Sequence, residues 1–115
     1  VGKAMVLETG SLDIPFLISA PTMRVPMSFN IFSSINAYLA MKAALLEAKK
    51  HDKIEVLAIP GFCTGCGKMD YTIAAREMFI AFQEIELGQK VRFHDFREAQ
   101  DYHLAINPKG NIWDK

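Results

Sequence analysis

The stretch KIEVLAIPGFCTGCGKMD, Lys53 to Asp70, constrains this chain more than any other. Ile54 to Ile59 is apolar at nearly every position, as expected of a strand covered on both faces and therefore central in its sheet. Gly61, Gly65 and Gly67 follow, and Asp70 or Thr72 then stands where a helix can open. A buried strand that passes through a glycine loop into a helix is the building unit of α/β sheets. Ligands of such sheets bind at the carboxyl ends of the strands.

The flanking segments fit an α/β chain. Ala4 to Glu8 and Phe16 to Ala20 are short apolar runs separated by the turn-rich TGSLDIP, and they read as two neighbouring strands. Pro21 and Pro26 break regular structure, so the segment from Pro21 to Ser34 reads as a surface loop, with Ser33 or Ser34 placed to cap a helix. That helix is predicted from about Ile35 to Lys50. Its stripe is Tyr38, Met41, Leu45 and Ala48, broadened by Leu39, Ala43 and Leu46, and Lys49, Lys50 and His51 suit its carboxyl end. The helix after the loop is predicted to reach about Ile85, with Ala75, Met78, Phe79, Phe82 and Ile85 on one side. Phe93, Phe96, Ala99, Tyr102, His103 and Ile106 recur at three or four residues and predict a final short helix. One domain over 1–115 is expected, with 86–115 as a carboxyl-terminal extension.

Charge narrows the function classes. Thirteen basic and thirteen acidic residues cancel, so no overall field draws the chain to nucleic acid or to an acidic membrane surface. Any anion site must be local. No apolar run approaches the ~20 residues of a membrane span and nothing resembles a leader, which makes a cytoplasmic protein the expectation.

Cys63 and Cys66 leave three readings open. A structural zinc site needs four ligands, and beyond these two cysteines the chain has only His51, His94 and His103, without paired spacing. A redox dithiol would sit in the first turn of a helix, whereas Cys66 precedes Asp70 by several residues. Otherwise both are small, partly buried fillers. The glycines support a different chemistry: Gly61, Gly65 and Gly67 allow φ > 0 and a close approach of backbone to a phosphate, with a helix amino terminus behind them. The spacing is neither GxxxxGK[ST] nor GxGxxG, so a plain glycine turn stays open as well.

The blocks VGKAMVLETGSLDIPFLISAPTMRVP, NAYLAMKAALLEAKK and KIEVLAIPGFCTGCGKMDYTIAAREMFIAF resemble the later portion of a macro domain, in particular the macro-like proteins of bacteria and their phages. The resemblance implies a three-layer α/β/α fold with a mixed sheet, and binding of ADP-ribose or a related nucleotide diphosphate. It places PGFCTGCGKM at the family's diphosphate loop, so Gly61 and the amides of Cys63, Thr64, Gly65, Cys66 and Gly67 would cradle the diphosphate, the sulfurs being incidental. Pro21 and Thr22 would lie near the proximal ribose, and Arg24 or Lys68 near a phosphate. The family's opening strands, adenine-contacting acidic residue and asparagine-bearing loop precede the matching part. Asn30 and Asn36 do not align to that asparagine, and the resemblance implies a domain incomplete at its amino-terminal side.

No residue qualifies as catalytic on sequence grounds. Asp70 is the carboxylate nearest the loop, but a helix cap accounts for it, and His94 and His103 lie outside the matching blocks. No cofactor is implied. The competing expectation is an interaction module, in which an exposed sheet edge docks on a second copy or on a complementary chain.

Overall fold

The computed structural model describes residues 1–23, 34–65, 67–89 and 92–107. Its elements are β1 (Met5–Glu8), β2 (Phe16–Ser19), α1 (Asn36–Lys50), α2 (Tyr71–Ile85) and α3 (Phe96–Ile106). The described residues form a mixed α/β fold of a two-stranded antiparallel sheet and three helices. Arg24, Pro26, Asn30, Ser33 and Cys66, singled out above, lie outside the described residues.

β1 and β2 pair in the register Met5 to Ser19, Val6 to Ile18, Leu7 to Leu17 and Glu8 to Phe16. The connection is held locally: the Thr9 amide donates to the Pro15 carbonyl at 3.0 Å and the Thr9 hydroxyl donates to the Ile14 carbonyl. Gly10 takes φ +78, a conformation open to glycine without a Cβ penalty. Alternation along the strands then divides the ribbon into two faces. Val6, Phe16 and Ile18 are half-buried, and the Phe16 ring meets that of His51, just past α1, at 4.5 Å. Met5, Leu7 and Leu17 form the opposite, exposed face.

The core lies between α1 and α2. Tyr38, Met41 and Leu45 of α1 pack with Ala81 of α2 and Ile106 of α3. A smaller cluster joins Ala37 at the start of α1 to Cys63, Met69, Ile73 and Ala74. The caps follow local rules: Asp70 accepts from the Thr72 amide at 3.1 Å, and Asp95 accepts from the Glu98 amide at 2.8 Å. Glu98 in turn accepts from the amide of His94, the residue before the cap, at 2.9 Å. At the other end of α2, Lys49 donates to the Ile85 carbonyl at 2.9 Å, supplying a cation where the dipole is negative.

Three expectations are corrected. Ile54 to Ile59 forms no ladder, and Val56 is 88% exposed. Leu57 and Ile59 do rest on the α1–α2 core, but β1 and β2 pair with each other, and the segment has no strand partner among the described residues. The buried line of α2 is Ile73, Ala74, Glu77 and Ala81, while Ala75 and Phe79 face outward. Leu46 and Phe96 are likewise exposed. The Ser34 expectation holds at the first amide of α1, where Ser34 accepts from Asn36 at 3.2 Å, while the amides of Ala37 and Tyr38 turn to Glu77. Among the described residues no helix is long and apolar enough to cross a membrane.

Candidate functional site

The glycine loop folds back on itself ahead of α2. The Met69 amide donates to the Cys63 carbonyl at 2.8 Å and the Lys68 amide to the Gly65 carbonyl at 3.0 Å. Closing the loop this way places Cys63 at φ 65 and Lys68 at φ 55. Left-handed backbone thus falls on Cys63 and Lys68 and on neither Gly61 nor Gly65, contrary to the sequence expectation for these two glycines. For an L-residue that conformation costs about 1–2 kcal/mol. Burial of the Cys63 side chain among Ala37, Met69, Ile73 and Ala74 offsets the cost.

The loop's outer rim is open. A Cβ added at Gly65 would meet nothing within 4 Å, whereas one at Gly61 would come within 3.4 Å of the Thr64 hydroxyl. The amides of Thr64 and Gly65 donate to no acceptor among the described residues. Gly67 is buried below them. The Pro21–Thr22 turn stands beside the loop: the Thr22 side chain lies near the Cys63 thiol, and the Thr22 carbonyl accepts from the Asn36 side chain at 2.7 Å. Thr22, Cys63 and the start of α1 thus meet in one place, with Pro21 exposed at its edge.

Cys63 itself is not poised for attack. Burial pushes its thiol up to about 11, the Thr22 side chain offsets that only in part, and the charge of Glu77 raises it further. A protonated, buried thiol is a weak nucleophile and a weak metal ligand. Among the described residues no cluster of three His, Cys, Asp or Glu could hold a metal ion. His103 is engaged elsewhere, its Nδ1 lying 2.7 Å from the Ala99 carbonyl. Asp70 is spent on its cap.

Sequence reasoning missed Glu77, which is fully buried behind the loop. Its Oε1 accepts from the Tyr38 amide at 3.2 Å and its Oε2 from the Asn107 side chain at 3.0 Å. Asn107 also donates to the Ser34 carbonyl at 2.7 Å. One carboxylate thus ties the start of α1 to the end of α3. Burial pushes it up to about 7, against the amides of Tyr38, Asn107 and Ala37, which favour the charged form. The available signal was its spacing of four from both Ile73 and Ala81, on the apolar stripe.

Two relatives of this chain are known among curated proteins. It is 38% identical over 82 residues to an uncharacterized protein of Aeropyrum pernix, covering 70% of this chain and 41% of that protein. It is 33% identical over 86 residues to an uncharacterized protein of Aquifex aeolicus, covering 75% and 50%. The chain therefore spans half or less of the length of these relatives. No family model matches the chain, and no solved structure matches it.

Proposed function

We propose that this chain is a macro-type module that binds ADP-ribose or a related nucleotide diphosphate on the loop from Gly61 to Gly67. The observation that carries the reading is the open rim: among the described residues the amides of Thr64 and Gly65 meet no acceptor, beside the Thr22 turn and at the amino-terminal side of α2. Backbone donors of this kind hold a diphosphate without a compensating basic patch, which suits a chain whose charges cancel. The loop offers an anion backbone donors, and processing of ADP-ribose would need groups from the remainder of a complete domain.

Calorimetric titration of the folded chain with ADP-ribose tests it. Saturable binding is expected, weakened at least about tenfold by Gly65→Glu, a change worth about 1.4 kcal/mol or more. The added side chain projects into open space, so the fold survives while a negative charge enters the cradle. Absence of heat from the folded chain, or binding indifferent to that substitution, refutes the proposal.

A second reading, an interaction module, has its own observation: Met5, Leu7 and Leu17 expose one apolar face of a two-stranded ribbon. Sedimentation equilibrium distinguishes it. A monomer at all concentrations counts against self-association.

A further inference from the structure

Near the last turn of α2 the structure holds a second cavity, of about 370 Å³, outside the loop just described. From Asp70 to Glu84 the helix rises about 21 Å, so the cavity is far from the loop along α2. Tyr38, Lys42, Glu84, Arg92, Phe93 and His103 line it. Three of these residues carry aromatic rings. Phe93 and His103 lie 5.9 Å apart between centroids, Tyr38 meets His103 edge-on at 5.9 Å, and Tyr102 backs both Phe93 and His103 at 5.4 Å.

The charges decide which guest fits. Glu84 is already satisfied: Tyr38 donates to its Oε2 at 2.6 Å, Tyr102 donates to its Oε1 at 2.9 Å, and the Lys42 ammonium stands 3.8 Å away. Arg92 forms no ion pair among the described residues. With Nδ1 of His103 donating to the Ala99 carbonyl, its Nε2 carries no proton when the ring is neutral. The cavity thus keeps one uncompensated positive charge beside ring faces. A cationic guest would be repelled by Lys42 and Arg92. A neutral apolar one would leave the guanidinium unused.

We propose that this cavity binds a planar aromatic anion, an aryl carboxylate or aryl phosphate, whose ring stacks on Phe93 and His103 and whose charge pairs with Arg92. Aromatic stacking and a guanidinium–anion contact are the two interactions such a guest gains together. The site is independent of the diphosphate loop.

The test is an NMR titration of the folded chain, following the Phe93 and His103 resonances, with phenyl phosphate and benzoate as probes and inorganic phosphate and phenol as controls. Saturable shifts with at least one aromatic anion are expected, and which probe saturates distinguishes phosphate from carboxylate. The controls should bind at least about tenfold more weakly, and Arg92→Gln and Phe93→Ala should each weaken the probe at least about tenfold. Gly65→Glu should leave the shifts unchanged. Failure of both aromatic anions to saturate, binding unaffected by Arg92→Gln, or loss of binding in Gly65→Glu overturns the proposal.

Discussion

Glu77→Gln isolates a contest between burial and hydrogen bonding. Glu77 is fully buried, yet its carboxylate faces the amino end of α1 and accepts from the amides of Ala37 and Tyr38 and the side chain of Asn107. The helix dipole and the amides favour charge, and desolvation opposes it. Desolvation wins, moving the group from 4.5 to about 7. The folded value lies above the unfolded one, so the native state retains a proton that the unfolded chain releases. The group's contribution is complete below about pH 4.5, falls as pH rises, and is lost once pH passes about 7. A shift of about 2.5 units, at 1.36 kcal/mol each, corresponds to about 3 kcal/mol.

Glutamine keeps the shape and the acceptor for Tyr38 but cannot titrate, and one of its ends loses the bond to Asn107, at a cost of about 1 kcal/mol. Urea unfolding followed by the helical circular dichroism signal at pH 5, 6, 7 and 8 gives the stability of both proteins. The difference between them cancels carboxylates that do not touch the site. By pH 5 about 0.8 kcal/mol of the contribution is already gone, so the two proteins should lie within about 0.5 kcal/mol of each other, and at pH 8 the variant should be the more stable by about 2 kcal/mol. A difference that stays flat across this range, or one in which the natural protein gains on the variant as pH rises, would refute the reasoning. The second result would mean that the amides and dipole outweigh burial.

Asp70→Ala removes the acceptor for the Thr72 amide and should cost about 1 kcal/mol, read as a lower urea midpoint at unchanged slope. Val56→Lys should change stability by no more than about 0.5 kcal/mol, because that side chain faces solvent; a loss of several kcal/mol would restore the doubly covered strand. In a Cys66→Ser background, Cys63 should react with a disulfide reagent at pH 8 about a hundredfold more slowly than an ordinary thiol, its pKa being about two units higher. Reaction at the ordinary rate would mean that the thiol is neither buried nor protonated.

The elements legible in the sequence were those specified by local signals. Asp70 announced the start of α2 because a cap is chemistry between residues two apart, and the three- and four-residue spacing from Phe93 to Ile106 announced α3. The hairpin was legible for a similar reason, since Gly10 and Pro15 punctuate two apolar runs. The helix faces were less so. Phe79 and Phe82 are equally apolar, and only the position of α1 decides that Phe79 faces outward at 55% exposure while Phe82 packs against the core. At the candidate site the glycines marked the right loop but not its geometry, because the left-handed turns fell on Cys63 and Lys68 once the Cys63 carbonyl was drawn to the Met69 amide.

What the sequence determined by itself is thus the series of short-range elements: two strands joined by a turn, three helices, and a glycine loop that leads to the Asp70 cap of the second. Tertiary structure alone decided the rest. Ile54 to Ile59 has every local mark of a buried strand, yet a ladder needs a partner from elsewhere in the chain, and β1 and β2 take each other. Glu77 looks like a solvated charge until α1 and α3 bring amides to it. Pairing and desolvation are properties of what surrounds a residue, and those surroundings exist only after the chain has folded.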